Sequence, residues 1–280
     1  MMKMAKQDER LWTEIEMWEE RFFDHEATDL ERTYQRWLEQ TFAALGETTQ
    51  QTVLEKIDTV MFHMLAAMQN SRSIEELSRR ILNHGKVFDV QIETLNDMKN
   101  LRIEQLHFIA EQQMAKQRLL SFGQGGLTGM GGAFLLAVDV PSMVAINLRS
   151  IQQLALTYGY ELKQPYEMML ILKLFHVATV PKAYQADNWD KLIEGVKGEN
   201  VDDPFYYGSS EVIFEREWVQ QLLRQIAKGF VISMLRKKMI QGVPLVGMVF
   251  GARMNYQFSQ QVINIAHRFY QKRHLLEKYA

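Results

Sequence analysis

Thirty consecutive residues between Arg118 and Arg149 carry a single charge, Asp139, and six of the chain's sixteen glycines fall inside 123–132. Each glycine in a helix interior costs about 1 kcal/mol relative to alanine. A cluster that dense therefore calls for a compensating close approach of another backbone. Gly125, Gly129, Ala133 and Ala137 recur every four residues, so on a helix they line up as a groove without side chains, extended by Gly131 and Gly132. A second uncharged stretch lies in 239–252, with Gly247 and Gly251 again four apart. Two helices packed through such grooves follow the logic of paired membrane helices. Asp139, Arg149, Arg253 and Asn255 are the polar residues in and beside these stretches, and pairing Asp139 with an arginine would offset its burial.

Neither stretch reads simply as a membrane span. Asp139-Val-Pro141 has the form of an N-cap followed by an early-turn proline, which predicts a helix ending near 138 and a new one from about 140. Each half then falls short of the roughly 20 apolar residues that a span needs. A buried helical hairpin is the expectation, with shallow or re-entrant insertion in lipid as its alternative.

The rest of the chain reads as all-α. Leu11, Ile15, Trp18 and Phe22 share one helical face over about 8–24. A capping box opens a second helix at Thr28, and Val53, Ile57, Met61, Met64, Leu65 and Met68 stripe a third. Ser73-Ile-Glu-Glu76 reads as another capping box, and His84-Gly85 as a break. Helical spacing then continues from about 86 to 120. Pro165 fits the first turn of a helix that carries Glu167 and the apolar run 168–175. Residues 182–210 read as a polar insert with little regular structure. Trp218, Leu222, Ile226 and Phe230 resume the helical pattern, and Phe258, Val262, Ala266 and Phe269 mark a final helix over about 252–278. The expected architecture is one multi-helix domain over 1–280. It has acidic amphipathic helices over 1–115 and a glycine-rich core over 116–275, built on a hairpin packed against the second glycine-containing helix.

Charge is strongly polarised. Residues 1–120 hold 15 basic and 21 acidic side chains, whereas residues 216–280 hold 11 and 2. The basic end either pairs with the acidic front or approaches anionic lipid, where each near-surface cation contributes about 1 kcal/mol. Arg236, Lys237, Lys238, Lys272 and Arg273 are the membrane-facing candidates. Nucleic acid is not expected as a partner, because the net charge is −2 and no zinc-finger or RNA-recognition signature is present.

Chemistry is sparse. The chain contains no cysteine, which removes disulfides, thiolate catalysis and thiolate metal sites. No Walker lysine follows the glycines, and no strand precedes them, so phosphate and dinucleotide loops are both excluded. Glu104 and His107 make one E-x-x-H unit, but di-iron bundles need two such units and two further glutamates. No catalytic residue, metal or cofactor is assigned. The N-terminus lacks the apolar core of a secretory signal, so a cytoplasmic protein, peripheral at the inner face of the membrane, is expected.

Gly125-Gly-Leu-Thr-Gly129-Met-Gly-Gly132, Asp139-Val-Pro141, Leu148-Arg149-Ser-Ile151 and Tyr158-Gly159-Tyr resemble the central signature of the EcsC family. Pro244-Leu-Val-Gly247, Gly251-Ala, Asn255 and Ala266-His-Arg268-Phe269 extend the resemblance over about 115–275. The resemblance implies an accessory protein associated with an ABC transporter of the EcsA/EcsB kind, in a system linked to secretion and membrane proteolysis. It supplies no catalytic residues. A carrier or sensor of an apolar ligand held between the glycine helices, and a hydrolase or metalloenzyme using Glu104 and His107 or the acidic insert, are the competing readings.

Overall fold

A computed structural model describes residues 4–24, 71–128, 132–180, 182–198 and 247–280, together with Met64 and Ala66; over 118–128, 132–142 and 247–255, and at Ser71, Ala183 and Tyr184, it describes the backbone alone. The described residues are all-α. The helices are α1 (Lys6–Phe23), α2 (Ser71–Gly85), α3 (Ile103–Thr128), α4 (Gly132–Thr157), α5 (Pro165–Thr179), α6 (Lys182–Lys197) and α7 (Gly247–Tyr279), with a 3₁₀ turn at Asn96–Asn100.

The long α7 is the axis of the core. It packs most extensively on α3, then on α4 and α5, and α1 and α6 close over its outer side. Phe258, Val262, Ala266 and Phe269, the face expected from spacing, are all buried. Around them pack Leu106, Ile109 and Met114 of α3, Leu148, Ile151 and Ala155 of α4, and Leu170, Leu174 and Phe175 of α5. The α1 stripe behaves as expected, with Ile15 fully buried and Leu11, Trp18 and Phe22 packed against the core. Pro165 occupies the first turn of α5.

Four expectations are corrected. The helix proposed over 86–120 begins only at Ile103. Short polar side chains capture the backbone before it: Asp89 Oδ1 accepts from the Gln91 N–H at 2.9 Å, and Asp97 Oδ2 from the Glu93 and Thr94 N–H groups at 3.0 and 2.7 Å. Such local bonds compete with the helical ladder. Second, α4 runs unbroken through Asp139 and Pro141. Proline deletes one helical hydrogen bond, but its fixed φ is already helical, so a helix set on both sides can pass it. Third, residues 182–197 of the supposed insert form α6. Gln185, Trp189 and Leu192, at spacings of four and three, turn inward and are buried. Fourth, Ser73 does not cap α2, which is already helical at Ser71; its hydroxyl accepts a hydrogen bond from the Arg149 guanidinium instead.

Gly159 closes α4 and aims the next segment back at α7. Its N–H donates to Leu156 O at 3.1 Å and that of Tyr160 to Ala155 O at 3.0 Å, the Schellman pattern that a left-handed residue permits. Gly159 has φ +84°.

Candidate functional site

Polar side chains are concentrated where α7 meets α3, α4 and α1. His267, Gln271, His274 and Lys278 recur at spacings of four, three and four, so they form one stripe on α7. Across from the first two lie His107 and Glu111, one turn apart on α3, and Tyr158 at the end of α4. The Tyr158 hydroxyl lies 3.0 Å from His267 Nε2. Gln271 Nε2 donates to His107 Nδ1 at 3.2 Å, and Gln271 Oε1 accepts from Arg268 Nη1 at 3.2 Å. The two imidazoles stack nearly parallel, 5.2 Å between centroids. One ligand atom from each of His107, Glu111 and His267 lies within 4.8 Å of the others, and this triplet could hold a metal ion. Burial, opposed weakly by Gln271 and Arg268, pushes the Tyr158 hydroxyl far above its ordinary range, so it stays protonated.

Further along α7, Arg273 and Glu167 make a buried two-pronged ion pair with N–O distances of 2.8 and 2.7 Å. Their side chains are only 8% and 5% exposed. Arg273 Nε also donates to Glu277 at 2.8 Å, and its guanidinium lies 3.7 Å from the centre of the Tyr160 ring. Glu277 in turn accepts from Lys99 at 2.9 Å. At the end of the helix, Asp8 of α1 accepts from Lys278 at 2.7 Å and from the Tyr279 hydroxyl at 2.5 Å. Burial works against the charged Asp8, but these two donors hold its carboxyl below the usual range. Glu19 takes Lys272 on both oxygens at 2.7 Å and the Trp189 indole N–H at 2.8 Å.

This placement corrects two of the membrane-facing candidates. Lys272 is turned inward to Glu19 of the acidic α1, the internal alternative for the basic C-terminal end, and Arg273 to Glu167 of α5. Arg236, Lys237 and Lys238 lie outside the described residues. Gly125, Gly132, Gly247 and Gly251 sit in helical backbone, while Gly129 and Gly131 lie outside the described residues. The α3–α7 and α3–α4 contacts are extensive, but a packing of glycine on glycine falls where side chains are not described. The same holds for the side chains of Asp139, Arg253 and Asn255. Glu104 is exposed, and its E-x-x-H partner His107 lies instead beside Glu111 and His267. The i, i+4 pair His107–Glu111 was readable in the sequence; its union with His267, 160 positions later, was not.

One surface stands apart from these internal pairs. After α2 the chain displays Val87 and Val90, 81% and 84% exposed, with Phe88 set edge-on to the exposed Phe108 of α3 at 5.9 Å. Lys86 adjoins it. Arg80 and Lys116 are close enough to His84 that, after burial, they are the forces holding its imidazole below the ordinary pKa. No helix among the described residues is long and apolar enough to cross a membrane.

The comparisons with known proteins agree with the fold's reach along the chain. An uncharacterised protein of Bacillus subtilis strain 168, YdbA, is 24% identical over 239 residues, covering 85% of this chain and 84% of that protein. Protein EcsC of the same organism is 26% identical over 82 residues, covering 29% of this chain and 35% of its own length. No solved structure matches significantly. The EcsC protein family profile spans residues 9–275, from within α1 to Leu275 of α7 and so including His107, Glu111 and His267, and the chain belongs to that family.

Proposed function

We propose that this protein is a non-enzymatic accessory factor that docks peripherally on an anionic membrane surface, a role that fits the resemblance to an ABC-transporter-associated family. The reading rests on the Val87–Phe88–Val90–Phe108 surface. Two β-branched apolar side chains held almost fully in water are costly, and each would gain about 1.5–3 kcal/mol on full burial. The neighbouring cations Arg80, Lys86 and Lys116 suit acidic headgroups, at about 1 kcal/mol each near the surface. The apolar tips would enter the headgroup region while the helices stay outside it.

Lys272 and Arg273 do not carry this reading, because both are spent in internal ion pairs. The test is sedimentation of the full chain with vesicles of phosphatidylcholine alone or mixed with phosphatidylglycerol. Binding to the anionic vesicles is expected, weakened by salt and by the double variant Val87→Asp/Val90→Asp. Indifference to lipid charge, or unchanged binding by the variant, would remove the proposal.

A further inference from the structure

We infer that His107, Glu111 and His267 form a binding site for a divalent transition-metal ion, with zinc the first candidate. The ligand set is two imidazoles and one carboxylate, the composition found in open zinc sites and in facial metal triads. With a single oxygen donor it suits nitrogen-preferring metals and not calcium or magnesium. The three residues come from α3 and α7, the most extensively packed pair of helices, so the frame that carries them is rigid.

Each histidine has a ring nitrogen held by a neighbouring side chain: His267 Nε2 by the Tyr158 hydroxyl, and His107 Nδ1 by Gln271. Supporting partners of this kind fix the ring orientation around metals. Ligation through His107 Nε2 moves the ring proton to Nδ1, so the Gln271 Nε2 donor must then turn away from that ring nitrogen.

The gap between the ligand atoms, up to 4.8 Å, must close to roughly 3.3 Å for bonds of about 2.0–2.1 Å. The stacked rings must also open, since parallel imidazoles cannot both aim a lone pair at one point. His107 and Glu111, on the more exposed side of the cluster, are the ligands that must move. His107 is exposed and Glu111 half-buried, whereas His267 is 6% exposed and serves as the fixed ligand. That asymmetry also gives the ion an entry path from solvent. Three protein ligands leave a coordination position for water.

The test uses the full untagged chain, stripped with chelator and titrated with zinc, with cobalt(II) as a spectroscopic probe. One equivalent of zinc is expected, and cobalt should show the intense visible bands of a low-coordinate site. His107→Ala and Glu111→Ala change accessible side chains and leave the fold intact. Each should weaken zinc binding by at least the roughly 10–100-fold that loss of a supporting partner alone costs. Glu104→Gln should bind as the unaltered protein does. Absence of stoichiometric binding, or equal affinity in His107→Ala and Glu111→Ala, would overturn the assignment.

Discussion

Truncating Glu167 to alanine is the sharpest probe of how this core is held together. The substitution strands the Arg273 guanidinium, 8% exposed, with two of its nitrogens no longer paired. Glu277 still receives Arg273 Nε and Tyr160 still stacks against the guanidinium, so the arginine keeps part of its environment. Removing one member of a buried ion pair costs about 3–5 kcal/mol, most of it the burden of the unpaired charge. Those remaining contacts place the expected loss toward 3 kcal/mol. For a chain of 280 residues that corresponds to a fall in Tm of about 5 °C. Urea and thermal unfolding of Glu167→Ala read this directly, and Glu167→Leu/Arg273→Met supplies the control. The double variant fills similar volume without charge, so it should lose much less than the single one. If Glu167→Ala costs under about 1 kcal/mol, as an exposed pair would, the pair is not desolvated and the reasoning fails.

His274 makes the stability depend on pH. Burial, then the Lys278 charge, pushes its imidazole down to about 4, with Lys99 adding and Glu277 and Asp8 opposing. The unfolded histidine, at about 6.5, takes up a proton that the folded one refuses. Stability attributable to this group is therefore complete above about 6.5 and is lost as pH falls toward 4, by about 2–3 kcal/mol. Asp8 and Glu277, both held low, add their losses only at more acidic pH. Urea midpoints at pH 7 and 5 should differ for the unaltered protein and draw closer in His274→Gln, with a remainder from His84 and His176, whose imidazoles burial also holds low; an unchanged difference would exclude His274 as a source. Gly159→Ala should cost about 2–3 kcal/mol, combining a left-handed alanine with a new Cβ only 2.9 Å from the Leu95 carbonyl oxygen. Lys99 Cγ, at 2.7 Å, can swing away, but that backbone oxygen cannot. Full retention of the urea midpoint would mean that the turn relaxes freely.

Legibility followed the range of the forces involved. Ile15, Trp18 and Phe22, and the Phe258–Phe269 face, announce themselves because a helix repeats every 3.6 residues and each apolar stripe is a local signal. Pro165 at the start of α5 is equally local. Helix α6 went unread because Lys182, Asp187, Asp190 and Lys191 dominate its composition, although Gln185, Trp189 and Leu192 keep helical spacing. Asp97 diverted the chain before α3 through bonds to Glu93 and Thr94, a competition that apolar spacing does not register. The candidate site was half visible. His107 stood out, but as a partner of Glu104. Its true neighbours depend on α7 lying against α3, which no window of sequence contains.

The polarised charge illustrates why a sequence-level patch is an ambiguous signal. A basic C-terminal end and an acidic front look like a surface waiting for a partner. In the fold, Lys278 meets Asp8, Lys272 meets Glu19 and Arg273 meets Glu167, so much of the described charge cancels inside the molecule. Charge spent this way has no reach beyond a few ångströms, and at physiological salt the screening length is only about 8 Å. The proposed attraction to a membrane then draws, among the described residues, on cations that stay at the surface beside apolar groups still in water. Arg80, Lys86 and Lys116 near Val87 and Val90 meet both conditions, with Arg80 also bound to Glu76 at 3.0 Å. The two halves of the argument therefore separate experimentally: salt should weaken vesicle binding through this outer patch while leaving the buried Arg273–Glu167 pair, and the stability it confers, nearly untouched.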